Sequence, residues 1–195
     1  MVKKINLYPH LLIAAGVLGL FIFLGTRLPP DIATETIAAL QDSLNPLETV
    51  GGLPLLLFIF LNNAIKCLLA IVLGVFLGLP TLVFLCFNGI AVGLLSSALV
   101  PKVGLGVIIA SLAPHGIIEI PMLIFTSALG LSIGAETLKY ITRQGSMTKM
   151  QLVYSLQLYL KWGLISLLVA SLVEVFITPQ VVSWVGGSSL GIITP

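Results

Sequence analysis

Charge is what this chain has least of. Nine Lys or Arg and seven Asp or Glu make up 8% of its 195 residues, where a soluble domain carries about 25%. A chain so poor in charge cannot cover itself with polar surface, which excludes a soluble globular fold. The net charge of +2 is too small to attract nucleic acid. Cysteine is scarce as well. Cys67 and Cys86 both lie in apolar runs, so a disulfide framework is not expected and buried, inert thiols are. What the chain has in excess is apolar sequence, 58% of residues, with a mean hydropathy of +1.17. The reading is an all-α integral membrane protein with the lipid bilayer as its first partner.

A span needs about 20 predominantly apolar residues, and several stretches qualify. The first is residues 8–25. It follows a charged start, MVKK, but no small-x-small cleavage site succeeds it, so it reads as a retained helix rather than a removed signal. PPDIATETIAALQDSL comes next, with Asp31 in its first turn and apolar residues at helical spacing. An amphipathic helix on the membrane surface is expected there. Residues 53–100 are almost free of charge and about twice one span in length. GLP at 78–80 is the natural break, giving spans at 53–77 and 81–100.

Residues 104–135 are too long for one span and too short for two. Pro114 divides them into an expected half-helix or re-entrant piece at 104–113 and a full span at 114–135. The polar segment KYITRQGSMTKMQLVYSLQLYLK is expected to form an interfacial amphipathic helix or to extend a last span at 162–178, and the Gly-rich tail is too broken to span. This makes about five transmembrane helices in a single transmembrane domain. With the N-terminus inside, Lys3, Lys4, Lys139, Arg143, Lys149 and Lys161 fall on the cytoplasmic side and only Arg27 and Lys102 outside. The excess of basic residues on cytoplasmic loops therefore favours a multi-pass cell-membrane protein with N-terminus in and C-terminus out.

Ionisable groups inside such spans mark functional candidates by default. They are Lys66, His115, Glu119 and Glu174, joined by the amides Asn62, Asn63 and Asn88. Spacing of i, i+4 puts His115 and Glu119 on one helix face, and Asn62 and Lys66 on another. The five-span topology carries the cluster to the outer half of the bundle, with Glu174 near the outer end of the last span. Pro114 fits a helical first turn, whose free N–H groups would receive a carboxylate such as Glu174. One imidazole and two carboxylates suit zinc with an open fourth position, so His115, Glu119 and Glu174 are candidate metal ligands and Zn2+ a candidate cofactor. The same groups also suit a proton or ion relay, or plain helix packing. Gly74-x-x-x-Gly78, Gly89-x-x-x-Gly93 and Gly130-x-x-x-Gly134 are small-xxx-small patterns that permit close helix approach, within a protomer or across a homodimer.

Three pieces of the chain resemble the stage II sporulation protein M family: LNNAIKCLLAIVLGVFLGLPTLVFLCFNGIAVG, APHGIIEIPMLIFTSALGLSIG and SLVEVFITP. The resemblance covers residues 53–179. It rests on Asn62–Asn63, Asn88–Gly89, the PHGxxE run with Pro114, Gly116 and Glu119, the glycines Gly130 and Gly134, and Glu174 with Pro179. Met122 departs from the family pattern, which has a small residue there. The resemblance implies a non-enzymatic membrane scaffold or assembly factor with other membrane or envelope proteins as partners, as in spore-forming bacteria, where a member anchors peptidoglycan-remodelling enzymes. A transporter or channel built on a helix broken at Pro114, and an intramembrane metal site protein, are the two alternatives. The missing general base, once all three ligands are used, argues against an enzyme.

Overall fold

The structure is a computed structural model and describes residues 6–29, 31–32, 35–36, 52–144 and 147–186. Among these there is no strand. The expected surface helix at 29–44 and the end of the tail lie largely outside the described residues. Helix α1 spans Tyr8–Gly25, α2 Gly52–Val72, α3 Leu79–Val103 and α4 Leu105–Ile141. The chain then runs from Thr148 to Gly186 as one rod of three α segments, α5 (Thr148–Leu158), α6 (Leu164–Leu172) and α7 (Thr178–Gly186), joined by π turns at Tyr159–Gly163 and Val173–Ile177. Five helices are long and apolar enough to cross a membrane.

Helix α4 is the centre of the bundle and touches every other helix. At 37 residues and 1.5 Å per residue it is about 55 Å long, well beyond the ~30 Å of a hydrocarbon core. The break expected at Pro114 is absent. Pro114 is not a first-turn residue but sits well inside α4, as does Pro121. Each proline forfeits one i→i−4 hydrogen bond, leaving the carbonyls of Ala110 and Ile117 without that donor. Ending the helix would strand a whole turn of backbone groups in an apolar medium, a much larger cost than one lost bond. The chain stays helical, and the piece before Pro114 is simply the start of α4.

The turn between α2 and α3 falls at GLP as the sequence indicates. Helix α2 tightens into a 3₁₀ turn at Leu73–Val75, and Leu77 and Gly78 then both take positive φ, 58° and 73°. Two such residues in succession fold the chain back in the least length, with Leu79 N–H donating to Phe76 O at 3.1 Å. The peptide between Leu77 and Gly78 rests on Gly134, where a Cβ would strike it.

Glycines let the helices meet backbone to backbone. Gly74 faces Gly130, and Gly130 faces Ala70 O and the Thr81 side chain, whose hydroxyl donates to Ala70 O at 2.7 Å. Gly25, Gly89 and Gly93 bring α1 against α3 along Leu18, Ile22 and Ile90. All of these contacts lie within one chain, so the small-residue patterns are used for internal packing and lend no support to a homodimer. The main apolar core joins Cys67 and Ile71 of α2, Leu129 and Ile133 of α4, Leu167 of α6 and Tyr159. Tyr159 is 1% exposed, and its hydroxyl donates to Ala64 O at 2.6 Å. Tyr159→Phe should destabilise the detergent-solubilised protein by about 1 kcal/mol, the usual worth of one net hydrogen bond; an unchanged melting curve would contradict that role.

The last two helices extend beyond the expected spans. Residues 148–158, read from sequence as interfacial or as an extension, continue the final helix at its N-terminal end. Gln151 of α5, fully buried, donates to Ser132 Oγ of α4 at 2.7 Å, and Met147 N–H caps Glu136 Oε2 at 3.0 Å. These bonds hold the C-terminal end of α4 and the N-terminal end of the final helix together.

Candidate functional site

The site lies where α4 and the final helix run antiparallel. His115 and Glu119 are one turn apart on α4, as the i, i+4 spacing requires, and both face Glu174. One ligand atom from each of the three lies within 4.8 Å of the others, and all three side chains are half-buried. Two apolar clusters close the helix pair on either side. Towards the start of α4 lie Val107, Ala110 and Val182, and towards its C-terminal end lies the core around Leu129, Ile133 and Leu167. Among the described residues this is the one group of three or more metal-ligating side chains so disposed.

Glu174 owes its position to local backbone geometry. It belongs to the π turn Val173–Ile177, a widening of the helix often found at functional sites. The next residue, Thr178, is 8% exposed, and its hydroxyl donates back to Val173 O at 3.2 Å. Its Oγ1 also lies 3.5 Å from His115 Nδ1. Thr178 is a member of the site that the sequence reading missed. The signal was present: four residues beyond Glu174 is the position that shares its helix face.

The other sequence candidates sit elsewhere. Asn62 and Asn63 bond to each other, at 3.4 Å, on α2. Asn88 turns onto its own helix and donates to Phe84 O at 2.7 Å. Lys66 is exposed on α2 and lines a small cleft of about 200 Å³ with Ala70, Leu73, Pro80 and Phe84. Gly116 is buried but has room, its nearest Cβ contact being Ile120 Cδ1 at 3.6 Å; Gly130 and Gly134 are the tight positions.

Chemically the arrangement is a ready set of hard and borderline donors for a divalent cation. Two carboxylates at this separation repel unless a cation stands between them or one of them holds a proton. The fold and site together define a five-helix membrane protein with a His/Glu/Glu cluster inside the bundle. The chain belongs to the stage II sporulation protein M family, whose model matches residues 10–179. It is also similar to the uncharacterized protein MJ0793 of Methanocaldococcus jannaschii, with 30% identity over 131 residues, covering 64% of this chain and 71% of that protein. No solved structure matches.

Proposed function

We propose that the protein is a membrane scaffold or assembly factor whose bundle is clamped by a divalent cation, zinc by ligand type, held between His115, Glu119 and Glu174. The observation that carries this reading is the convergence of the three ligand atoms within 4.8 Å. Ligands sharing one zinc at about 2.0–2.1 Å lie at most about 4 Å apart. Side-chain rotations of about an ångström would therefore close the site. Two ligands come from α4 and one from the final helix, so a bound cation would cross-link the two longest helices of the bundle. That is the effect expected of a structural metal, which contributes directly to folding. In the topology favoured by the basic residues, the clamp sits towards the outer face, and the termini lie on opposite sides of the membrane.

The transport reading draws on a helix broken at Pro114 and on the intramembrane His/Glu cluster; Leu105–Ile141 is continuous, which removes the first of these supports.

Elemental analysis of purified full-length protein tests the clamp. Expected is about one zinc per chain after loading, and a melting temperature that falls on chelation. Absence of bound metal, with melting indifferent to chelator, would overturn it.

A further inference from the structure

Lys66 carries a charge that the bundle leaves unmet. Lys139 pairs with Glu136, and Lys161 lies over the Trp162 ring at 5.3 Å. Lys66 is exposed on α2, and among the described residues no carboxylate or aromatic ring stands within pairing distance of its ammonium. Its depth makes that costly. Gly52–Val75 has 24 residues, about 36 Å, against a hydrocarbon core of about 30 Å. Lys66 stands about 21 Å from one end and about 14 Å from the other. Lysines near helix ends escape by stretching to the interface. Here the nearer interface lies towards the C-terminal end, whereas the Cα–Cβ bond of a helical residue tilts towards the N-terminus. The stem sets out towards the middle of the bilayer, where an unpaired cation is least tolerated.

Beside Lys66 a cleft opens between Ala70 and Leu73 of α2 and Pro80 and Phe84 of α3. Leu69 and Val83 at its rim are 47% and 52% exposed, so its mouth is on the outside of the bundle. At about 200 Å³ it is smaller than the ~300–1,000 Å³ of small-molecule pockets and suits one protruding side chain. A lipid phosphate stays at the interface, away from the direction the stem takes. A second copy of this chain has no matching group to offer, because Glu119 and Glu174 face each other inside the bundle.

We propose that this face of α2 and α3 docks a transmembrane helix of a different protein, one that carries an Asp or Glu near its middle and pairs it with Lys66. Ionisable groups inside membranes are met by one another, and one such pair sets both the depth and the rotation of the incoming helix. Taking that helix for a client rests on the scaffold reading above; the charge match does not, and neither uses the cation clamp.

The probe is a synthetic Leu/Ala helix of about 24 residues with one central Glu, alongside its Gln counterpart. Each is reconstituted with the full-length protein in phosphatidylcholine vesicles containing chelator, and energy transfer between N-terminal labels reads association. The Glu helix should bind roughly tenfold tighter than the Gln helix, the scale of one polar contact between helices in lipid. Lys66→Met should remove that preference, Lys66→Arg should keep it, and Lys66→Glu should transfer it to a helix with a central Lys. Equal binding of the Glu and Gln helices to the unaltered protein overturns the proposal, and so does a preference that survives in Lys66→Met. A preference abolished by phosphatidylglycerol in the vesicles assigns Lys66 to lipid headgroups and overturns it too. Should Lys66→Met fail to fold, the unaltered protein with and without phosphatidylglycerol still decides. A Glu preference in a protein whose melting ignores zinc overturns the clamp and leaves the docking surface standing; zinc-dependent melting without a Glu preference does the reverse.

Discussion

Glu174→Gln is expected to have opposite consequences with and without zinc. In the metal-free protein it removes one of two carboxylates that face each other inside the bundle. Repulsion falls, and the melting temperature should stay level or rise. In the zinc-loaded protein the same change removes a ligand. The loss of affinity should exceed roughly a hundredfold, the upper end of what outer-shell changes cost. At a zinc concentration about 100 times the original Kd, the stabilisation by ligand would drop from about 2.7 to about 0.4 kcal/mol. The measurement is a pair of melting curves for each protein, with zinc and with chelator. A Glu174→Gln protein that melts lower than its parent in chelator, or that keeps the full zinc shift, would contradict the clamp. The sign reversal matters because a purely packing role for Glu174 predicts the same direction in both conditions.

Gly130→Val should be the most disruptive single change in the bundle. A Cβ at Gly130 would strike Ala70 O and come within 2.6 Å of Thr81 Oγ1 and 3.1 Å of Thr81 Cγ2. The carbonyl is backbone and cannot turn away, and the Thr81 hydroxyl is fixed by its own 2.7 Å bond to the same oxygen. Helices α2, α3 and α4 meet at this point, so no one of them can yield alone. Overpacking of this kind costs about 3 kcal/mol or more, enough to remove most of the folded population in detergent. Gly19 supplies the control, because a Cβ there meets nothing within 4 Å. Gly19→Ala should be neutral or stabilising by up to about 1 kcal/mol. If Gly130→Val melts like its parent on the same thermal scan, the seam is not as tight as the backbone contacts imply.

Much of the architecture was legible because lipid imposes few solutions. Low charge and runs of apolar residues gave five helices, and the first of them, Tyr8–Gly25, was bounded to the residue. The turn at Gly78 was readable because only glycine adopts positive φ without strain, and a proline follows it. Pro114 misled for a physical reason. In water proline ends helices, but a helix embedded in apolar surroundings keeps its other hydrogen bonds and absorbs the one it loses. The pairing of His115 with Glu119 followed from helical spacing, and their approach to Glu174 from antiparallel neighbours at matched depth. The π turns were not legible, since a periodicity of 3.6 residues is assumed in every face assignment and nothing in VEVFI or YLKWG announces a wider turn. Gln151 and Ser132 escaped notice because neutral polar side chains in a mixed segment leave no compositional trace.

The seam of Gly25, Gly89 and Gly93 has a consequence for biogenesis. Helix α1 packs chiefly on α3 and α4, not on α2, which follows it in the chain. When α1 enters the bilayer its partner has yet to be made, and α2 must pass before α3 can arrive. The first span therefore waits in lipid with its packing face of Ala14, Leu18 and Gly25 uncovered, and the bundle can close only after the third span has been released beside it. Slowing translation between α2 and α3 should lengthen that exposed interval, and a membrane chaperone that shields an unpaired span would find its substrate there.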